Sequence, residues 1–365
     1  MSNRNLTILG LVAVVMVALA VIQSRRADVS PRTEQGAHAY LIQGLSMDKV
    51  DKISTKTTTD TTVLGRIGDK FFITNKQNYP AGTSKVNELI TKVLDVRGLE
   101  KVTDNPDNFE ELGVDPNSAR NIVKFMDSNN NLITGLAVSE PEDGQAHVRL
   151  LPTNNVYATQ PIGQLPNAPM DFIDTQILDI QNNDVRSVTI SGPDGSYTLV
   201  NDPNSGQITL GEELPEGKQL ETSSARTTAR ALRAFRINDV MRVPAEKSLN
   251  FDHTYSCRLE NSTLYTIQIA RRDGESFIKC KAEYPKEAKV YIEGDESEEE
   301  LKQKEDQLLA GDAALDFNER HSQWIYKIAE YKADELTKIL DELLEDIPQE
   351  EKEQENAGPQ EPNEM

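Results

Sequence analysis

VDKISTKTTTDTTVLGRIGDKFFITNKQNYPAG, residues 50–82, and VRSVTISGPDGSYTLVNDPNSGQITLGEELPEG, residues 185–217, run through the same order of events. Each opens on a short apolar stretch, 50–53 in one and 185–188 in the other. A pair of strands follows, over 61–75 and 196–211, and then a proline, Pro80 or Pro215, with glycine two residues later (Gly82, Gly217). Ile53 and Val188 stand 135 positions apart, and so do Pro80 and Pro215. One offset shared by strand and proline reads as an internal duplication, although two copies do not make a solenoid.

Working outward, an amphipathic helix is predicted after each proline. Over 84–97 the residues Val86, Leu89, Ile90, Val93 and Leu94 recur at helical spacing and share one face. Thr83 or Ser84 can cap its start and Gly98 can end it. Over 223–236 the pattern is Ala225, Ala229, Leu232 and Phe235, a smaller face. LGVD at 112–115 answers LNFD at 249–252, and hairpin patterns follow over 121–138 and 255–284. NVYA at 155–158 answers QWIY at 323–326, and a closing helix is predicted over 333–345.

The predicted architecture is α+β: two tandem repeats, each an antiparallel sheet packed by one main amphipathic helix, plus one N-terminal transmembrane helix. The corresponding divisions are an anchor with a short tail over 1–24, a polar linker over 25–47 and a first repeat over 48–182. A second repeat covers 183–346 with an acidic insertion at 293–310, and residues 347–365 form an acidic tail expected to be disordered.

The anchor rests on LTILGLVAVVMVALAVI, residues 6–22, which carries no charge. As a helix it would span about 25 Å, near the lower limit for crossing a bilayer. A cleaved signal peptide is the rival reading, with Ala18-Leu19-Ala20 as its site; the apolar run continues past Ala20 to Ile22, which favours an uncleaved anchor. Arg25, Arg26 and Arg32 outnumber Arg4, so local charge alone leans against export.

The chain has 365 residues, with 60 Asp and Glu against 39 Lys and Arg, a formal net charge of −21. Such a surface repels nucleic acid, which is not expected as a partner. The four histidines share no helix turn, so no HExxH-type metal site is read. Asp127, Asn129 and Asn131 have the alternation of a calcium loop, but Leu132 and Val138 stand where that loop needs Gly and Glu, and a hairpin turn fits better. No nucleophile elbow, Walker loop or dinucleotide fingerprint is present, and neither catalytic residues nor a cofactor or metal is assigned.

Arg226, Arg230 and Arg233, with Arg236 beyond them, stand at helical spacing in this acidic chain. They read as a docking stripe for an acidic partner or for lipid headgroups, or as residues paired locally with Glu212, Glu213 and Glu221; the first three are the candidate partner-binding residues. Cys257 and Cys280 fall in the outer strands of a predicted meander. Turns centred at 262 and between 273 and 274 would set both opposite Ile267, about 10 Å apart. That exceeds the ~7 Å reach of a disulfide, so two free thiols are expected.

Tyr79-Pro80, the helix KVNELITKVLDVRGLEKV, FEELGVD at 109–115, FIDTQILDIQNNDVRSVTI at 172–190 and DGSYTL at 194–199 together resemble the domain-of-unknown-function-4340 family. The resemblance covers residues 50–202 well and the second copy more loosely; LNFD, lacking the glycine, and the acidic insertion depart from it. It implies a bacterial inner-membrane, single-pass protein with its large domain in the periplasm. It implies an accessory or scaffold role in gliding-motility-type ABC transport systems, with lipid contact through residues 6–22 and separate ATPase and permease subunits as partners. A periplasmic ligand-binding module, with its site between the repeats, is the alternative.

Overall fold

The computed structural model describes residues 39–202, 205–243, 249–285 and 297–347. Strands dominate it. The larger sheet runs, edge to edge, β1 (Ala39–Tyr40), β6 (Arg97–Thr103), β10 (Val156–Thr159), β9 (Ala146–Leu151), β8 (Leu132–Val138), β7 (Asn121–Met126), β2 (Lys52–Lys56), β3 (Thr61–Ile67), β4 (Lys70–Ile73) and β5 (Tyr79–Pro80). The second runs β14 (Ile208–Leu210), β13 (Gly195–Asn201), β12 (Val185–Gly192), β18 (Phe251–Leu259), β19 (Leu264–Arg272), β20 (Glu275–Glu283), β21 (Trp324–Ile328) and β17 (Asp239–Arg242). Two small ladders join β11 (Gln176–Leu178) to β16 (Phe235–Arg236) and β15 (Lys218–Leu220) to β22 (Leu344–Asp346).

The two sheets share a strand order, β4-β3-β2-β7-β8-β9-β10-β6 in one and β14-β13-β12-β18-β19-β20-β21-β17 in the other. The 135-residue offset returns as hairpin register: Ile53 pairs with Leu64, and Val188 with Leu199. All four side chains are buried, so the alternation that makes these segments strands also points one face of each sheet into the core.

The expectation of one main helix per repeat and a transmembrane helix is corrected. The described residues hold four α-helices: α1 (Thr83–Leu94), α2 (Thr222–Ala229), α3 (Glu298–His321) and α4 (Glu330–Leu336). None of them is long and apolar enough to cross a membrane. Residues 6–22, most of the 25–47 linker and residues 348–365 lie outside the described residues, as does the start of the acidic insertion.

Only α1 follows the predicted span closely, burying Val86, Leu89 and Val93 as the periodicity requires. The other helices are shaped by tertiary contacts. α2 stops at Ala229; Ala234 then takes φ +45°, and Phe235 is buried in β16 opposite Leu178. The predicted 333–345 helix divides into α4, a 3-10 turn at Leu340–Leu343 and β22. Lys338 breaks it, because its carbonyl accepts a hydrogen bond from the Tyr197 hydroxyl (2.7 Å) instead of serving a helical ladder. The predicted insertion contains the start of α3, whose Ala314 and Phe317 enter the core.

The cysteine register differs by one pair. Cys280 faces Ile267, but Cys257 faces Tyr265, because the β18–β19 turn, with Ser262 at φ +71°, is centred on Asn261 rather than on Ser262. Two strand spacings plus that two-residue offset separate the Cα atoms by about 12 Å, still beyond disulfide reach. Both thiols are free and buried.

Candidate functional site

Two surface features combine charge with a recess. The first lies at the seam of the two sheets. Lys85, Glu88 and Lys92 come from α1, Asp171 and Asp174 from the connection after β10, and Arg236 from β16; together they line an open cleft of about 570 Å³. Four of these six charged residues, Glu88, Lys92, Asp171 and Arg236, are held locally. Lys92 pairs with Glu88 (2.8 Å) and donates to the Gln164 carbonyl (3.0 Å). Arg236 donates to Thr175 Oγ1 and Gln176 Oε1, and Asp171 accepts from the backbone of Asn167 and Ala168. Gly82 leaves room beside it: a Cβ there would stand 2.9 Å from the Asp174 carboxylate, which would have to shift. The cleft is polar and holds no aromatic side chain.

The second feature surrounds the arginines singled out in the sequence. Arg226 lies in the last turn of α2, Arg230 caps the helix through its backbone, and Arg233 follows in a turn. Three helical positions on one face are therefore replaced by a helix end and a loop, yet the side chains stay together. Burial, then the positive charges of Arg226 and Arg233, hold the Arg230 guanidinium below its ordinary value. Arg226 and Arg233 are exposed and Arg230 half-buried.

Local pairing with Glu212, Glu213 and Glu221 does not occur: among the described residues no carboxylate lies within ion-pair distance of Arg226, Arg230 or Arg233. Glu221 instead caps α2, accepting from the N–H groups of Ser223 (2.9 Å) and Ser224 (2.7 Å). Glu212 accepts from the Thr198 N–H (3.2 Å). The C-terminal end of α2 is held from below by the fully buried Tyr255, whose hydroxyl donates to the Thr228 carbonyl at 2.9 Å. Tyr255 was not legible as a site residue; its role depends on β18 passing under α2.

The histidines are dispersed. His147 lies on β9, and His253 on β18 contacts Asp252 Oδ1 at 2.7 Å. His321 is buried against Phe317 and bonded to the Tyr326 hydroxyl at 2.7 Å. His38 lies outside the described residues. Among the described residues no three His, Cys, Asp or Glu side chains are grouped to hold a metal. The Asp127 carboxylate is occupied by its own hairpin, accepting from the N–H groups of Asn129 (2.9 Å) and Asn131 (2.8 Å).

No curated protein and no solved structure matches the chain. Residues 72–253 match the model of the family described as Domain of unknown function (DUF4340). That stretch runs from β4 through α1, the seam and the arginine cluster into β18, and by this match the chain is assigned to the DUF4340 family.

Proposed function

We propose that the chain is a non-catalytic envelope protein, held at the bacterial inner membrane with its large domain in the periplasm, that serves as an accessory or scaffold subunit of an ABC-transporter-like complex. The ATPase and permease are separate subunits. The observation that carries the reading is the arginine cluster: three cations stand together with no carboxylate paired to them among the described residues, on a chain of net charge −21. Concentrating like charge at a surface costs stability, and an acidic partner offsets that cost on docking. The uncharged run at residues 6–22 supports the membrane assignment.

The test is purification of the tagged full chain from its own membranes in mild detergent. An ATPase and a permease should co-purify, and Arg226→Glu with Arg230→Glu should remove them while the thermal midpoint stays within a degree or two. Recovery of the chain alone, or retention of both subunits by the double variant, counts against the proposal. Alkaline phosphatase fused after residue 202 should be active; an inactive fusion would refute the periplasmic placement.

The seam cleft favours a second reading, a module that binds a small polar molecule or glycan between the two sheets. Its volume lies within the range of ligand sites, and its lining of Lys85, Asp174 and Arg236 suits a polyhydroxylated or zwitterionic ligand. A sugar or amino-acid panel that raises the thermal midpoint of the wild type, and not of Asp174→Ala, would support it.

A further inference from the structure

The arginine cluster borders an open sheet edge. Among the described residues β14 is the last strand of the second sheet and pairs only with β13. Thr209 stands opposite Val200, flanked by bonds from Gly211 N–H to the Thr198 carbonyl (2.7 Å) and from Asp202 N–H to the Gln207 carbonyl (2.9 Å). Bonding alternates along an antiparallel ladder, so Ile208 and Leu210 turn their N–H and C=O groups outward. Among the described residues nothing takes these four groups. The side chains of Ile208 and Leu210 meanwhile pack against the core, which fixes the edge in place.

Outside this edge runs a groove of about 560 Å³ between β14 on one side and β15 with α2 on the other. Leu214, 40% exposed, and Leu220 give it apolar walls, and Arg226 stands at its rim. The Arg230 guanidinium lies over Gly206 at the start of the edge. Glu212 is the groove's one acidic lining residue, and its carboxylate is engaged by the Thr198 N–H.

We infer that this groove receives an extended acidic segment of a partner protein, which adds a strand to β14 and sets its carboxylates against Arg226 and Arg230. The inference rests on the partner-docking reading of the arginines and gives it a binding mode. An unpaired edge asks for a periodic run of N–H and C=O groups, which an extended peptide supplies and a lipid headgroup does not. The arginines then select acidic side chains over basic ones. Nucleic acid is disfavoured by the net charge of −21.

The experiment titrates the full chain, in a non-ionic detergent, with a fluorescent peptide of alternating valine and glutamate. Saturable binding is expected, with slowed amide exchange at residues 208–210. Arg226→Glu with Arg230→Glu should weaken it by about tenfold or more. So should Leu210→Pro, which removes one outward N–H and leaves the inward bonds of Thr209 untouched. Should the proline variant fail to fold, amide exchange in the wild-type chain decides alone.

Several outcomes overturn the inference. If Leu210→Pro and amide exchange show no effect while the double reversal abolishes binding, strand addition is wrong and the arginine docking stands. If the double reversal binds as the wild type does, the acidic selectivity is wrong. Binding to phosphatidylglycerol vesicles in preference to the peptide assigns the patch to lipid. Binding only when Glu350, Glu351, Glu353 and Glu355 are replaced by glutamine assigns the groove to the chain's own acidic run.

Discussion

His321 is 8% exposed, where the end of α3 meets β21, with Phe317 against its ring and Tyr326 on Nδ1. Burial, and secondarily the charge of Arg320, push its pKa down to about 4. The unfolded chain takes up this proton near pH 6.5, and the folded protein does not until about pH 4. Between those values the unfolded state binds more protons, so stability falls as pH drops through the window, by about 3 kcal/mol in total. Thermal midpoints measured from pH 7 to pH 4 should show that fall. His321→Gln, which keeps a hydrogen-bonding group beside Tyr326, should flatten it; an unchanged slope would assign the acid sensitivity to other groups. Four scattered histidines gave no means of singling this one out, because its burial requires α3, β19 and β21 to meet. The arginines were legible as a charge anomaly, but their lack of carboxylate partners among the described residues was not: it depends on Glu221 capping α2 and Glu212 serving β13.

At the scale of elements, what was legible is what local spacing alone determines. α1 could be read because five apolar residues share a helical face and nothing else competes for them. The hairpins could be read because alternation and turn residues agree. The 333–345 helix could not be excluded from its spacing, since the Tyr197 hydroxyl that captures the Lys338 carbonyl is 141 positions away in the chain. The β18–β19–β20 meander also supports a prediction about the thiols. Burial pushes the Cys257 thiol up to about 12 and raises that of Cys280 further, so neither supplies thiolate near neutrality. Iodoacetamide at pH 8 should leave both unmodified in the folded protein and alkylate both in denaturant without reductant. A Cys257–Cys280 bridge in the non-reduced digest would refute the register.

Across the whole molecule, the two sheets meet through their edges rather than through a linker alone. Lys76 of the first half reaches Asp239 at 2.5 Å, and the Gln77 side chain accepts from the Arg242 backbone at 2.6 Å. Tyr79 on β5 packs edge-on against Trp324 on β21, with ring centroids 4.8 Å apart, and against Tyr326 at 6.4 Å. One hydrophobic cluster accordingly runs from Ile53 and Leu64 through this seam to Val188 and Ile267. A duplicated sequence would by itself allow two independently folding halves, whereas a shared core couples them. Trp324 is the single tryptophan and sits at the seam, so its fluorescence reports the junction while far-UV circular dichroism reports both sheets. The two signals should lose structure at one midpoint. Tyr79→Ala empties the seam from the first half without removing the probe; it should cost about 3 kcal/mol and lower both midpoints together. If the tryptophan signal moves alone, the halves unfold separately, and the seam is a contact between two stable bodies rather than part of one core.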